Sequence, residues 1–271
     1  MTLLENALDL LPAGPPTQPA DLDVLICQLG VEVRYRRDRL AFNGSTDLGR
    51  AVPLIELAWV RGTDSPSLLP WRDGDKLSSS LPHQYDARTR FTLAHEFGHV
   101  LLDRLSKRRP LPRSLTPTDV EHLCDAIGAE LLMPSSWFRN QVGDDARLAD
   151  LRRVSIRART SISSTVVRAR ILGYGIAAFH LTPSSPDGWR VDRAYGFGAK
   201  ATLSLSEESE VRVGQLPMKS VVRSDLELAC GDHTHCLEAE LRRTFSSAVV
   251  VVNRVDNKWI RSTSSWRCPE R

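Results

Sequence analysis

The sequence predicts an α+β chain: a mixed core of short strands and two long helices, a helical tail, then a smaller mixed or β-rich domain. Three observations carry this. Residues 89–104 and 118–132 repeat apolar side chains at helical spacing, whereas VEVRYR (31–36) and VPLIELAWV (52–60) read as strands. Residues 135–173 continue in helical pattern. From Gly175 the character changes, with IAAFHL (176–181), WRVDRAYGF (189–197), VRVG (211–214) and SAVVVVNRV (247–255) reading as strands.

Taken in order, LPAGPPTQPA (11–20) is Pro-rich and closes a flexible lead-in over residues 1–19. Residues 21–30 form a short helix ending near Gly30. Residues 61–90 are rich in Ser, Pro, Asp and Gly and form a long surface loop. Pro117 opens the second long helix, capped by Thr118 or Asp119, and Pro134 stops it. In the last domain, residues 225–243 include a helix.

With 271 residues the chain is long enough for one large or two modest domains. A net charge of +3 is too small to imply nucleic-acid binding by itself. Five cysteines at irregular spacing do not make a disulfide framework and fit a reducing compartment. The amino-terminal stretch lacks the basic region of a signal peptide, and the longest purely apolar run, Ala248 to Val252, is far short of a membrane span. A cytoplasmic protein with no membrane partner is expected.

The chemistry concentrates in FTLAHEFGHVLLD (91–103). His95 and His99 are four residues apart, one helical turn, so both imidazoles can meet one metal ion. Glu96 sits beside His95, where its carboxylate can take a proton from metal-bound water. Phe91, Leu93, Ala94, Phe97, Val100, Leu101 and Leu102 make the segment largely apolar. Such a helix is mostly buried, and buried His and Glu need partners, which a metal supplies. Gly98, costly in a helix interior, suggests a close approach by another element.

A catalytic zinc takes three protein ligands and a water. PTDVEHLCDAIGAELLMP (117–134) offers Glu121 and Asp125, four apart on one face. One can bind the metal while the other orients a histidine. Asp103, four residues after His99, competes as a ligand or serves as an acceptor behind one.

These two motifs, in this order and spacing, resemble the ImmA/IrrE family of bacterial metallopeptidases, closely over residues 88–134 and more weakly to about 175. The change of character from Gly175 sets off an accessory domain at 174–271, and the resemblance implies a zincin-like zinc peptidase domain, read as 20–173. It implies one Zn2+ per chain on His95, His99 and Glu121, with Glu96 catalytic and Asp125 behind the ligands. It further implies a narrow protein substrate, a helix-turn-helix repressor cleaved in a stress response or in mobile-element regulation.

Between Arg147 and Arg170 lie seven arginines and one aspartate. The stretch resembles a helix-turn-helix and reads either as a phosphate-binding face or as a solvated basic face that docks an acidic protein. Arg152, Arg153 and Arg157 are the docking candidates. The rival reading is a non-proteolytic, DNA-binding transcription regulator with a structural zinc. Cys230, His233, His235 and Cys236, in CGDHTHC, form a second metal candidate or a loop with incidental thiols. Tyr85, His83 and His180 are candidate donors to an oxyanion.

Overall fold

The computed structural model describes residues 2–36, 43–58, 87–143, 146–183, 189–195, 203–205, 213, 215, 221–230, 233–243 and 248–253. These form a mixed helix-and-sheet protein, as the α+β reading requires. By contacts the chain divides into two compact units, Met1–Trp137 with Ala158–Thr160, and Phe138–Arg157 with Ser161–Arg271.

In the first unit, α1 (Leu3–Leu8) begins at a reciprocal cap in which Thr2 N–H donates to Glu5 Oε2 at 2.6 Å and Glu5 N–H to Thr2 Oγ1 at 3.2 Å. Ala7, Leu8 and Leu11 are buried, and α1 packs on both long helices. The expected flexible lead-in is therefore corrected. Its few leucines bury enough apolar surface to seat it, and Ala20 N–H donates to Leu131 O at 2.8 Å.

The helix α2 (Leu22–Leu29) ends at Gly30, whose φ of 56° is the left-handed conformation that lets Val31 N–H return to Ile26 O. Then come β1 (Glu32–Arg36), β2 (Gly44–Asp47) and β3 (Leu54–Ala58), in the sheet order β1-β3-β2. The first pair is parallel, β2 runs antiparallel to β3, and Thr46 stands opposite Ile55.

The long helices are α3 (Ala87–Arg108) and α4 (Pro117–Leu132). The expected loop at 61–90 lies outside the described residues up to 86, and its last four residues open α3. Thr116, rather than Thr118 or Asp119, caps α4. Asp119 answers as the third helical residue, completing a capping box, and the Thr116 hydrogen bonds hold its carboxyl below the usual aspartate range.

Two glycines set the spacing of this antiparallel pair. A Cβ on Gly98 would stand 2.7 Å from Cys124 Cα, and one on Gly128 would stand 3.0 Å from the His95 backbone nitrogen. Small residues at both crossing points let the backbones approach, which brings the polar face of α4 onto His95 and His99.

In the second unit, α5 (Ser135–Gln141) carries the chain onward to α6 (Leu148–Ala158) and α7 (Ile162–Ile171). Then come β4 (Ile176–Pro183), against which α7 packs, β5 (Trp189–Tyr195), β6 (Leu203–Leu205), β7 (Val221–Cys230), β8 (His233–Arg243) and β9 (Ala248–Asn253), in the order β5-β4-β9-β8-β7-β6. Every pairing is antiparallel. Buried Glu240 on β8 accepts the Leu148 N–H at 2.6 Å, satisfying one free donor at the start of α6.

The helix expected within 225–243 is corrected: the segment is a β7–β8 hairpin. LEAEL (237–241) alternates apolar and charged residues with a period of two, and cross-strand pairing outweighs the helix preference of Leu, Glu and Ala. Of VRVG, only buried Val213 falls within the described residues. The contact division falls inside α5, ahead of the expected boundary at residue 173.

Candidate metal centre

Spacing along α3 puts His95 and His99 on one face, their rings 5.1 Å apart in an edge-on arrangement. Spacing along α4 puts Glu121 and Asp125 on the facing side. His95 Nε2 lies 3.2 Å from Glu121 Oε2, and His99 Nε2 lies 3.5 Å from Glu121 Oε1. His95 Nδ1 meets Asp125 Oδ1 at 2.8 Å.

With the Asp125 carboxylate accepting from Nδ1–H, the Nε2 lone pair is left free, and both Nε2 atoms lie beside the Glu121 carboxylate. Burial alone would pull the His95 pKa down. The Asp125 hydrogen bond and the charges of Asp125, Glu96 and Glu121 outweigh it, so the imidazolium titrates above the ordinary histidine value. Two imidazoles among three carboxylates form a field that favours a cation. Two nitrogens and one carboxylate converging, with a second carboxylate behind, is the donor set that suits zinc. The residues fit the metal.

Glu96 is 5% exposed and points elsewhere: its Oε2 accepts from Thr46 Oγ1 at 2.6 Å. Thr46 comes from β2, which lies along α3. Gly44 permits that approach, since a Cβ there would fall 2.6 Å from Thr92 Cγ2 and 2.8 Å from Glu96 Oε1. A cavity of about 590 Å³ opens over the group, walled by Gly44 and Thr46 of β2, Phe91 of α3, and the polar faces of both long helices. The Glu121 and Asp125 side chains are 57% and 55% exposed, so the centre faces solvent on the α4 side.

Asp103 does not join this group. Its carboxylate accepts from Lys107 Nζ at 2.7 Å, and it is not part of the cavity wall. One further helical turn carries it past His99. Glu121→Ala should therefore weaken zinc binding far more than Asp103→Ala, by at least about tenfold. Zinc competition with a chromophoric chelator measures this, and the reverse order would make Asp103 the ligand.

Sequence reasoning missed two participants. Thr46 sits in NGSTD, which reads as a turn. Cys124 is buried on α4 three residues after Glu121, and its donor atom lies with those of His95 and His99 in a group whose members are all within 4.8 Å of one another. Helical counting from Glu121 would have found it. Burial first, then the charges of Glu121, Glu96 and Asp125, push its thiol up to about 12.

Tyr85 and His83 lie outside the described residues, and His180 stands on β4 of the second unit. Arg152, Arg153 and Arg157 all fall on α6. There Arg153 pairs with Asp150 at 2.7 Å and donates to Gln141 O at 3.0 Å, while Arg157 donates to the Gln141 side chain. Of CGDHTHC, Cys230 ends β7 and His233, His235 and Cys236 lie on β8, with Cys230 opposite His233 and Cys236 opposite Glu227. Among the described residues, no helix is long and apolar enough to cross a membrane.

A comparison with curated proteins gives no match. Among solved structures, a Mycobacterium tuberculosis transcriptional regulator aligns at 9% identity over 90% of this chain and 74% of its own, with a TM-score of 0.44. The family model of the IrrE N-terminal-like domain, peptidase M78, matches residues 82–172, a span that contains every residue of the metal centre except those of β2. Over that span the chain thus matches the family that its two motifs resemble.

Proposed function

We propose that the chain is a zinc-dependent endopeptidase with a zincin-like core, restricted to one protein substrate. The observation that carries this is the convergence of His95 Nε2 and His99 Nε2 on the Glu121 carboxylate, with Glu96 held alongside in an open cavity. His95, His99 and Glu121 hold the ion, and Asp125 fixes the His95 ring. Bound zinc supplies an acidified water and polarises a carbonyl. Glu96 accepts the water's proton and returns it to the leaving amine. Its Thr46 hydrogen bond holds one carboxylate oxygen and leaves the other for that transfer. Among the described residues β2 ends the sheet, so its outer edge offers backbone groups to an extended peptide.

The family match supports peptide hydrolysis, and the substrate class follows from the resemblance. We take it to be a helix-turn-helix repressor, cut in the cytoplasm during a stress response or mobile-element control. The test is to incubate the purified protein, carrying about one zinc per chain, with a repressor encoded beside it. Cleavage that stops with chelator and returns with zinc supports the reading. Activity that persists in strong chelator removes it.

The arginines of α6 give a basic face suited to an acidic partner. Charge reversal of Arg152, Arg153 and Arg157 together should slow repressor cleavage while zinc content stays unchanged. Because Arg153 and Arg157 also hold Gln141, circular dichroism must show α6 intact. Normal cleavage with lost DNA affinity would instead favour the DNA-binding regulator.

A further inference from the structure

The proposed chemistry uses two imidazoles and two kinds of carboxylate, and leaves the Cys124 thiol with no task. That thiol is fully buried where α3 and α4 cross, held against Gly98 and on the same α4 face as Glu121 and Asp125. Its sulfur and one nitrogen from each of His95 and His99 lie within 4.8 Å of one another. Donors around one tetrahedral zinc stand roughly 3.5 Å apart, given bond lengths of about 2.0–2.3 Å. The ring therefore needs to tighten by about an ångström to close on an ion.

We infer that His95, His99 and Cys124 form a second, thiolate-containing coordination set, which shares both imidazoles with the Glu121 set and is taken by thiophilic divalent ions, cadmium above zinc. The inference rests on the metal reading of the site. Carboxylate oxygen is a hard donor and thiolate sulfur a soft one, so the two sets sort ions by softness. On binding, one metal–sulfur bond forms and the thiol proton leaves to solvent, with no change of oxidation state. A dication overcomes the burial that otherwise keeps the thiol protonated, because a coordinating thiol is deprotonated outright. An ion held by both imidazoles, Glu121 and Cys124 together has four protein ligands. That is a closed site with no position for water. Cys124 then acts as a built-in inhibitory ligand, engaged by the wrong metal.

The full chain, stripped of metal, is titrated with cadmium(II) and, separately, with cobalt(II), and cadmium and zinc affinities are measured by chelator competition. Cadmium should give an ultraviolet thiolate-to-metal band, one per chain, and cobalt, standing in for zinc, should give visible d–d bands. Cys124→Ser and Cys124→Ala should keep the cobalt d–d bands and lose the cadmium thiolate band. Their cadmium affinity should fall at least about tenfold more than their zinc affinity. The cadmium thiolate band should also vanish in the double variant His95→Ala, His99→Ala, which separates this set from the cysteines of β7 and β8 even if a Cys124 variant does not fold. A cadmium thiolate band that survives any of these changes, or an unchanged cadmium preference, overturns the inference. Wild type with cobalt d–d bands and no cadmium thiolate band overturns it while leaving the metal reading standing. A wild type that binds neither ion ends both.

Discussion

Glu96→Gln should keep its metal and its fold and lose repressor cleavage by about a hundred- to ten-thousandfold, the usual contribution of a positioned proton acceptor. The geometry sets this expectation. Glu96 is buried, lies next to a candidate ligand on α3, and gives one oxygen to Thr46 rather than to the His95–His99–Glu121 group. The amide of Gln preserves volume, and its oxygen can still accept from Thr46, so packing survives. What is lost is the lone pair that receives a proton. Metal analysis, circular dichroism and a cleavage time course on the repressor that wild type cuts read the three properties separately. If Glu96→Gln came out metal-free but folded, Glu96 would be a ligand and not a base.

Gly98→Val should destabilise the chain by about 1–3 kcal/mol or more and should weaken metal binding as well. The atoms in the way are backbone: an added Cβ meets Cys124 Cα at 2.7 Å and Cys124 O at 3.1 Å. A flexible side chain can swing aside, but here an entire helix must shift. Any residue replacing glycine gains at most about 1 kcal/mol of helix preference, too little to offset the overlap. The displaced helix carries Glu121 and Asp125, so the ligand group opens with it. Denaturation midpoints with and without zinc separate the two effects, because bound metal adds stability in proportion to its affinity. Equal midpoints and an unchanged zinc affinity would show that the crossing has slack.

What the sequence revealed of this centre was local in origin. His95, Glu96 and His99, and likewise Glu121 and Asp125, each lie within one helical turn, where residue count alone sets the geometry. Gly98 also announced a close helix contact, through the oddity of glycine in a helix interior. Thr46 gave no such signal. Its strand has four residues, alternates between exposed and half-buried positions, and starts at Asn-Gly, so nothing in it reads as a wall of a cavity. Its link to Glu96 spans fifty residues and exists only once β2 has paired with β3. In the sequence Cys124 is only one of five irregularly spaced cysteines. The β7–β8 hairpin was hidden for another reason: LEAELRR is made of good helix formers, and only pairing with distant partners decides against a helix.

The carboxylate that Glu240 sends from β8 to the first turn of α6 bears on how this protein can be divided. A chain ended at residue 173 would keep every candidate ligand and the whole span matched by the peptidase family. It would also remove β4 to β9, and with β8 the Glu240 acceptor at the start of α6. Leu148, Leu151, Val154, Val166 and Ala169 are buried in the intact protein, and α7 packs against β4. Shortened there, the chain would expose apolar faces of both helices and leave the start of α6 without its Glu240 acceptor, and would tend to aggregate. The family-matched span and the contact units thus end in different places, and a truncation that follows the first should cost the second its seat.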